Sequence, residues 1–135
     1  MSRPFATLLP GLLLFAIAIH AADIDGIWVG QQPARNGEVE DVAFRLKSNG
    51  NSITGKMFGD EYDLPVTEGS INGDQVRFIV TTTNYYNGTK TQFVYSGTIK
   101  NGVLELVRER GQSGDTRPPA KNFPGRQTLK LTRLN

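Results

Sequence analysis

Hydrophobic and polar residues alternate along most of the chain after residue 22. Each run keeps its apolar residues at one parity: Val42, Phe44 and Leu46; Val76, Phe78 and Val80; Phe93 and Tyr95; Leu104 and Leu106; Leu129 and Leu131. Because successive side chains of a strand point to opposite faces, this period of two predicts strands with one buried face and no amphipathic helix. We predict eight strands, at approximately 24–31, 39–48, 52–58, 64–71, 75–83, 89–99, 103–109 and 127–134.

Asn-Gly dipeptides punctuate these runs, and they predict hairpin turns. This dipeptide accepts positive φ at both central positions of a type I′ turn. In a meander, the second, fourth and sixth connections lie at one end of the sheet, and the other end receives the longer connections 32–38, 59–63, 84–88 and 110–126. We therefore expect one end closed by tight turns and a mouth of loops at the other. The five dipeptides are Asn36-Gly37, Asn49-Gly50, Asn72-Gly73, Asn87-Gly88 and Asn101-Gly102.

Eight antiparallel strands remove their exposed edges by closing on themselves. The predicted fold is therefore all-β, a single eight-stranded antiparallel up-and-down barrel, whose narrow interior has room for at most one small ligand. Gly26 and the only Trp, Trp28, mark the base of the barrel, where the indole covers the core. Arg133 shares the parity of Leu129 and Leu131, which places its guanidinium near Trp28. A cation–π contact there contributes about 1 kcal/mol.

The first residues have the plan of a secretory signal peptide. Arg3 precedes an apolar run from Phe5 to Ile19, which ends in small residues. We interpret 1–21 as the signal peptide, with cleavage after Ala18 or Ala21, and 22–135 as one barrel domain. The run is short for a bilayer span and lacks a basic stop-transfer cluster, so we expect no stable membrane span in the mature chain. The predicted location is secreted or periplasmic.

Composition restricts the available chemistry. The chain has no Cys, and its single His, His20, lies in or beside the leader. Ser-His, Cys-His and His-zinc sites are therefore not expected in the mature domain, and we predict no enzyme, no cofactor and no metal. The remaining catalytic option combines Asp60, Asp63 or Glu68 with a basic residue of the mouth. Neighbouring carboxylates in one loop do not indicate the opposed pair of a glycosidase.

Gly26-x-Trp28, the eight-strand meander and the terminal-strand Arg133 resemble the calycin barrels, which include lipocalins, avidins and small bacterial proteinase inhibitors. The segment 52–56, Ser-Ile-Thr-Gly-Lys, is similar to the third-strand Thr-Gly segment of avidin-like chains. The chain also resembles uncharacterised barrel domains of secreted bacterial proteins, which carry no activity to transfer. The resemblance implies a binding barrel. The lack of further Trp residues argues against biotin, and the absent disulfide and C-terminal helix depart from lipocalins.

The mouth loops hold the residues that we predict to bind a ligand or partner. An exposed Tyr pair at 85–86 would stack on sugars or protein surfaces at small entropic cost. In the alternative interpretation, one of these Tyr side chains faces the barrel and the other covers a neighbouring strand. From 108 to 133 the chain has seven basic and two acidic residues, so the loop 111–125 is either a basic rim for acidic partners or a solvated loop. The predicted binding residues are Tyr62, Tyr85, Tyr86, Arg117, Lys121 and Phe123.

These patterns together predict a secreted, monomeric, non-catalytic barrel that binds a small ligand, a glycan or a protein through its open-end loops. A barrel-type protease inhibitor or an envelope-interaction protein is the alternative, followed by a carboxylate hydrolase that works without His. Nucleic acid is not expected as a partner, because basic residues are sparse and the chain is exported.

Overall fold

The computed structural model describes residues 23–34, 37–59, 63–114 and 125–135. The predicted signal peptide lies outside these ranges. Eight strands follow the predicted order with bounds that differ by one or two residues, except that the seventh runs four residues further. The strands are β1 (Gly26–Pro33), β2 (Val39–Asn49), β3 (Ser52–Phe58), β4 (Asp63–Asn72), β5 (Gln75–Thr83), β6 (Lys90–Lys100), β7 (Val103–Ser113) and β8 (Arg126–Arg133).

Every strand pairs antiparallel with the next, and β8 pairs with β1 to close the barrel. The predicted all-β, up-and-down, eight-stranded barrel is therefore confirmed. The ladder between β5 and β6 runs from Gln75–Thr98 to Thr83–Lys90, whereas β1 meets β8 only at Trp28–Arg133 and Val29–Thr132. Within the described ranges, no helix is long and apolar enough to cross a membrane.

The tight turns at the closed end are of two kinds. Asn101 and Gly102 both have positive φ, at 54° and 74°, as a type I′ turn requires. In the other two turns Gly50 and Gly73, with φ of 60° and 63°, occupy the first central position, and the preceding Asn ends the strand. That pattern is typical of type II′. The prediction of type I′ is thus right for one of the three turns and wrong for two, because the pairing register moves the turn one residue along.

The inward face of the barrel is filled by the apolar residues of the alternating runs. Phe44, Phe78 and Tyr95 meet in the interior with ring centroids 5.1 to 5.4 Å apart. Leucine and valine side chains from the other strands pack around them, all buried. Around these three rings the interior is therefore filled by side chains.

Candidate functional site

The closed end of the barrel is packed around Trp28. The indole is fully buried, and its Nε1 donates to the carbonyl oxygen of Ile24 at 2.9 Å. The guanidinium carbon of Arg133 lies 4.7 Å from the indole centroid, and its Nη2 donates to the carbonyl oxygen of Asp23 at 2.5 Å. Gly26 has a φ of +136° and lies against the Arg133 side chain. These contacts seal the base of the barrel.

The open end displays Tyr85 and Tyr86 on the connection between β5 and β6. Their side chains are 94% and 95% exposed, and their rings stand edge to face with centroids 5.7 Å apart. The alternative in which one ring faces the barrel is therefore wrong. Residues 84–89 lie outside both strands, so strand parity does not direct these side chains.

Hydrogen bonds fix the backbone of this turn. The side-chain Oδ1 of Asn84 accepts from the N–H of Tyr86 at 2.9 Å, and the Asn84 carbonyl accepts from Gly88 at the same distance. Asn87 Oδ1 accepts from both the N–H and the hydroxyl of Thr89, at 3.0 and 2.7 Å. Because the backbone is already ordered, contact through the two rings would cost little further entropy.

The other predicted mouth residues, Tyr62, Arg117, Lys121 and Phe123, lie outside the described ranges.

The two carboxylates proposed for hydrolysis that the structure describes, Asp63 and Glu68, are not gathered into a pair. Asp63 lies 3.4 Å from Lys56 Nζ in a surface ion pair. Glu68 is five residues further along the same strand, about 16 Å away at the usual strand rise. Asp60 lies outside the described ranges. Among the described residues, no three His, Cys, Asp or Glu side chains are grouped to hold a metal ion.

Polar side chains enter the barrel below the mouth, and the sequence analysis missed them. We call Gln32, Glu40, Tyr95, Arg108 and Gln127 the polar mouth cluster. Gln32 is the last residue but one of β1, and Glu40 and Gln127 are the second residues of β2 and β8. Gln32, Arg108 and Gln127 are each less than a tenth exposed. The cluster therefore lies just inside the strand ends at the mouth.

Four of the five members form a connected network. Gln32 Nε2 donates to Glu40 Oε1 at 2.9 Å, and the Tyr95 hydroxyl donates to Gln32 Oε1 at 3.4 Å. Arg108 hydrogen-bonds to the Tyr95 hydroxyl, and its guanidinium lies 5.0 Å from the centroid of Phe93. Burial raises the pKa of Tyr95, and the nearby Arg108 charge opposes that rise. The network thus has the carboxyl group of Glu40 at one end and the guanidinium group of Arg108 at the other.

Gln127 stands apart from this network. Its Cα pairs with that of Arg108 across β7 and β8, yet neither its Nε2 nor its Oε1 has a hydrogen-bond partner among the described residues. The buried amide therefore offers two donors and an acceptor inside the barrel.

Parity is the signal that would have revealed the cluster. Each of these four polar residues lies two or four positions from an inward-facing apolar residue of its own strand, at the point where the apolar alternation stops. The pairs are Gln32 with Trp28, Glu40 with Val42, Arg108 with Leu106 and Gln127 with Leu129. The predicted strands left Gln32 in the connection 32–38 and included the other three residues, whose inward parity was not recognised.

An open groove of about 890 Å³ runs along the outside of β1, β2 and the end of β3. Val29, Ala43 and Phe58 contribute apolar surface, and Gln31 donates to Asp41 beside them at 3.2 Å. The groove is wide open to solvent, and the structure shows no unpartnered buried side chain among the residues that line it.

Comparisons with protein-family models, curated proteins and solved structures found no match. The closed eight-stranded antiparallel barrel is consistent with a calycin-like fold.

Proposed function

We propose that this chain is an exported, non-catalytic binding barrel that holds its ligand or partner at the open end. The observation that supports this most directly is the exposure of Tyr85 and Tyr86 on a turn ordered by its own hydrogen bonds. Large aromatic side chains on a fixed backbone are typical of binding surfaces, since they bury much area and lose little entropy. The opposite end is sealed around Trp28, which leaves the mouth as the accessible face of the interior.

The finer assignments belong to the same proposal. The apolar leader supports export, and the barrel with Trp28 and Arg133 at its base supports a calycin-like relationship. A protease inhibitor or an envelope-interaction protein would use the same exposed turn on a larger partner. A carboxylate hydrolase has less support, because Asp63 is occupied by Lys56 and Glu68 lies well along the strand.

Hydroxyl-radical footprinting tests whether a ligand or partner covers the Tyr85–Tyr86 turn in the exported fraction. We expect oxidation of Tyr85 and Tyr86 to fall several-fold in the intact exported fraction relative to the purified protein. Leu134, which is 57% exposed at the closed end, should be oxidised equally in both samples and is the internal control. Equal oxidation of the tyrosines in both samples would contradict the proposal.

Native mass spectrometry separates a small ligand from a macromolecular partner. A discrete added mass that disappears on denaturation identifies a small ligand, whereas a bare mass together with tyrosine protection identifies a larger partner. The Tyr85→Ala/Tyr86→Ala variant is expected to lose the tyrosine-dependent complex, and Leu134→Ala is the matched truncation of an exposed side chain elsewhere. Retention of the complex by the double variant would remove the turn from the binding surface.

A further inference from the structure

Among the described residues, Gln127 is the buried side chain with the most unpaired polar atoms. The residue is 5% exposed, and both amide heavy atoms lack a partner among the described residues. Buried polar groups in native proteins are nearly always paired, because an unpaired one keeps its full desolvation penalty. A buried amide with all its hydrogen-bonding capacity unused therefore indicates that a further molecule completes it.

A second glutamine in the same cluster provides the contrast. Gln32 is equally buried, yet its Nε2 donates to Glu40 and its Oε1 accepts from Tyr95. Arg108, which pairs with Gln127 across β7 and β8, hydrogen-bonds to the Tyr95 hydroxyl. The network thus provides hydrogen-bond partners for the Gln32 amide but not for the Gln127 amide. Unpaired buried amides are therefore not a general property of this interior.

The position of Gln127 places its amide at the end of the barrel where a ligand would enter. It is the second residue of β8, directly below the mouth, and Glu40 on the other side of β1 is half-buried at the same end. The β1–β8 ladder stops at Val29 and Thr132, so no register pair ties β1 to β8 at the height of Gln127. Below the mouth, the boundary between β1 and β8 therefore has the fewest backbone pairs of any neighbouring strands in the barrel.

We propose that the polar mouth cluster binds one small molecule that carries a carboxamide, received by the side chain of Gln127. A primary amide presents an acceptor beside a donor, and its best complement is a donor beside an acceptor, as in another amide. Glu40 and Arg108 bring opposite charges to the cluster, which suits a neutral or zwitterionic ligand rather than a strongly charged one. An N-acylated amino acid or short peptide and an acetamido sugar both carry this chemistry. This internal site is separate from the Tyr85–Tyr86 turn.

Replacing the Gln127 amide by an apolar group tests whether it is unpaired in the ligand-free protein. In ligand-free protein, Gln127→Met keeps the volume and removes the unpaired groups, so we expect the Tm to rise by roughly 3–6 °C. Gln32→Met is the matched control, which removes a paired buried amide and is expected to lower the Tm. A lower Tm for Gln127→Met would show that the folded chain itself satisfies this amide, and would overturn the proposal.

NMR titration tests the ligand class and separates its sources. In ¹⁵N-labelled protein the side-chain NH₂ signals of Gln127, assigned with Gln127→Met, are followed with two probes, N-acetylalanine methylamide and N-acetylglucosamine. Their controls are the diester analogue of the first, in which esters replace both amides, and glucose. We expect a saturable shift with one amide-bearing probe, an effect at least tenfold weaker with its control, and the same response in Tyr85→Ala/Tyr86→Ala. No shift with either amide probe, or equal shifts with the controls, would overturn the assignment and leave the tyrosine turn unaffected.

Discussion

At the residue scale, Asp25 fastens the start of β1 to the end of β2. Its Oδ1 accepts from the N–H of Ser48 at 2.7 Å and from the Ser48 hydroxyl at 3.0 Å. These bonds favour the carboxylate, so the pKa of Asp25 in the folded protein lies below its ordinary value of 3.8. A lowered pKa means that this stabilisation is complete above pH 3.8 and is lost as the pH falls through the folded-state pKa.

We therefore expect Asp25→Ala to be less stable than the wild type at about pH 7, with the difference shrinking towards about pH 2 as the carboxylate becomes protonated. Urea unfolding at the two pH values measures this. Asp74→Ala, a truncation of an exposed aspartate in another tight turn, corrects for the general effect of removing a carboxylate. A stability difference that is the same at both pH values would contradict the role given to the Ser48 bonds.

The candidate site was predicted only in part, and its residues show why. The placement of Tyr85 and Tyr86 at the mouth follows from counting strands, but their exposure does not, because a turn has no parity. The interior positions of Gln32 and Gln127 were missed because a polar residue at the end of an apolar run looks like the end of the strand. The partners of Gln32 lie on other strands, one of them distant in sequence. Only the three-dimensional structure therefore shows that the Gln32 amide is paired and the Gln127 amide is not.

At the scale of the elements, Gly97 sets how closely β6 and β7 approach. A Cβ built on Gly97 would lie 1.8 Å from the carbonyl oxygen of Glu105 on β7, so no side chain fits without moving the ladder. We expect Gly97→Ala to lower the free energy of unfolding by about 2 kcal/mol or more, since the clash is with backbone. Chemical denaturation monitored by Trp28 fluorescence measures the change.

Gly125→Ala is the matched control for this substitution. Gly125 has no atom of the described residues within 4 Å of an added Cβ and no positive φ, so its variant is expected to stay within about 0.5 kcal/mol of the wild type. Equal stability of the two variants would show that β6 and β7 can separate freely at Gly97.

The same scale shows how far the sequence determines the strands. Alternation located β2 and β5 to β8, because each buries one face, and the turn signals between the runs bounded the other three strands. The turn types were less predictable, because Asn-Gly suits two registers: Asn101 lies inside its turn, whereas Asn49 and Asn72 end their strands. The extension of β7 to Ser113 was also missed, since the residues after Arg108 carry no apolar alternation and are held by pairing with β6.

At the scale of the whole molecule, closure depends on the strands that are furthest apart in sequence. β5, β6 and β7 are joined along almost their full length, whereas β1 and β8 pair only near the sealed base, helped by the bond from the Leu134 N–H to the Ile27 carbonyl. The packing around Trp28 therefore holds β1 and β8 together at the closed end of the barrel. Next to this ladder, Gly30 lies against the Lys130 carbonyl and the Leu131 side chain of β8, and no register pair joins β1 and β8 from there to the mouth. We call this boundary between β1 and β8 the seam.

This difference predicts where the barrel opens first. Local opening requires least free energy where fewest ladder bonds break, so we expect the seam-facing amides of 30–32 and 127–130 to exchange with solvent much faster than those of 78–80 and 93–95. Native-state hydrogen exchange followed by NMR measures both groups in one sample. Amides of β1 that face β2 are the internal control, because they share the strand but have ladder partners. If the seam-facing amides exchanged only with global unfolding, the mouth half of the seam would be as firmly closed as the rest, and entry of a ligand beside Gln127 would have to come from the mouth alone.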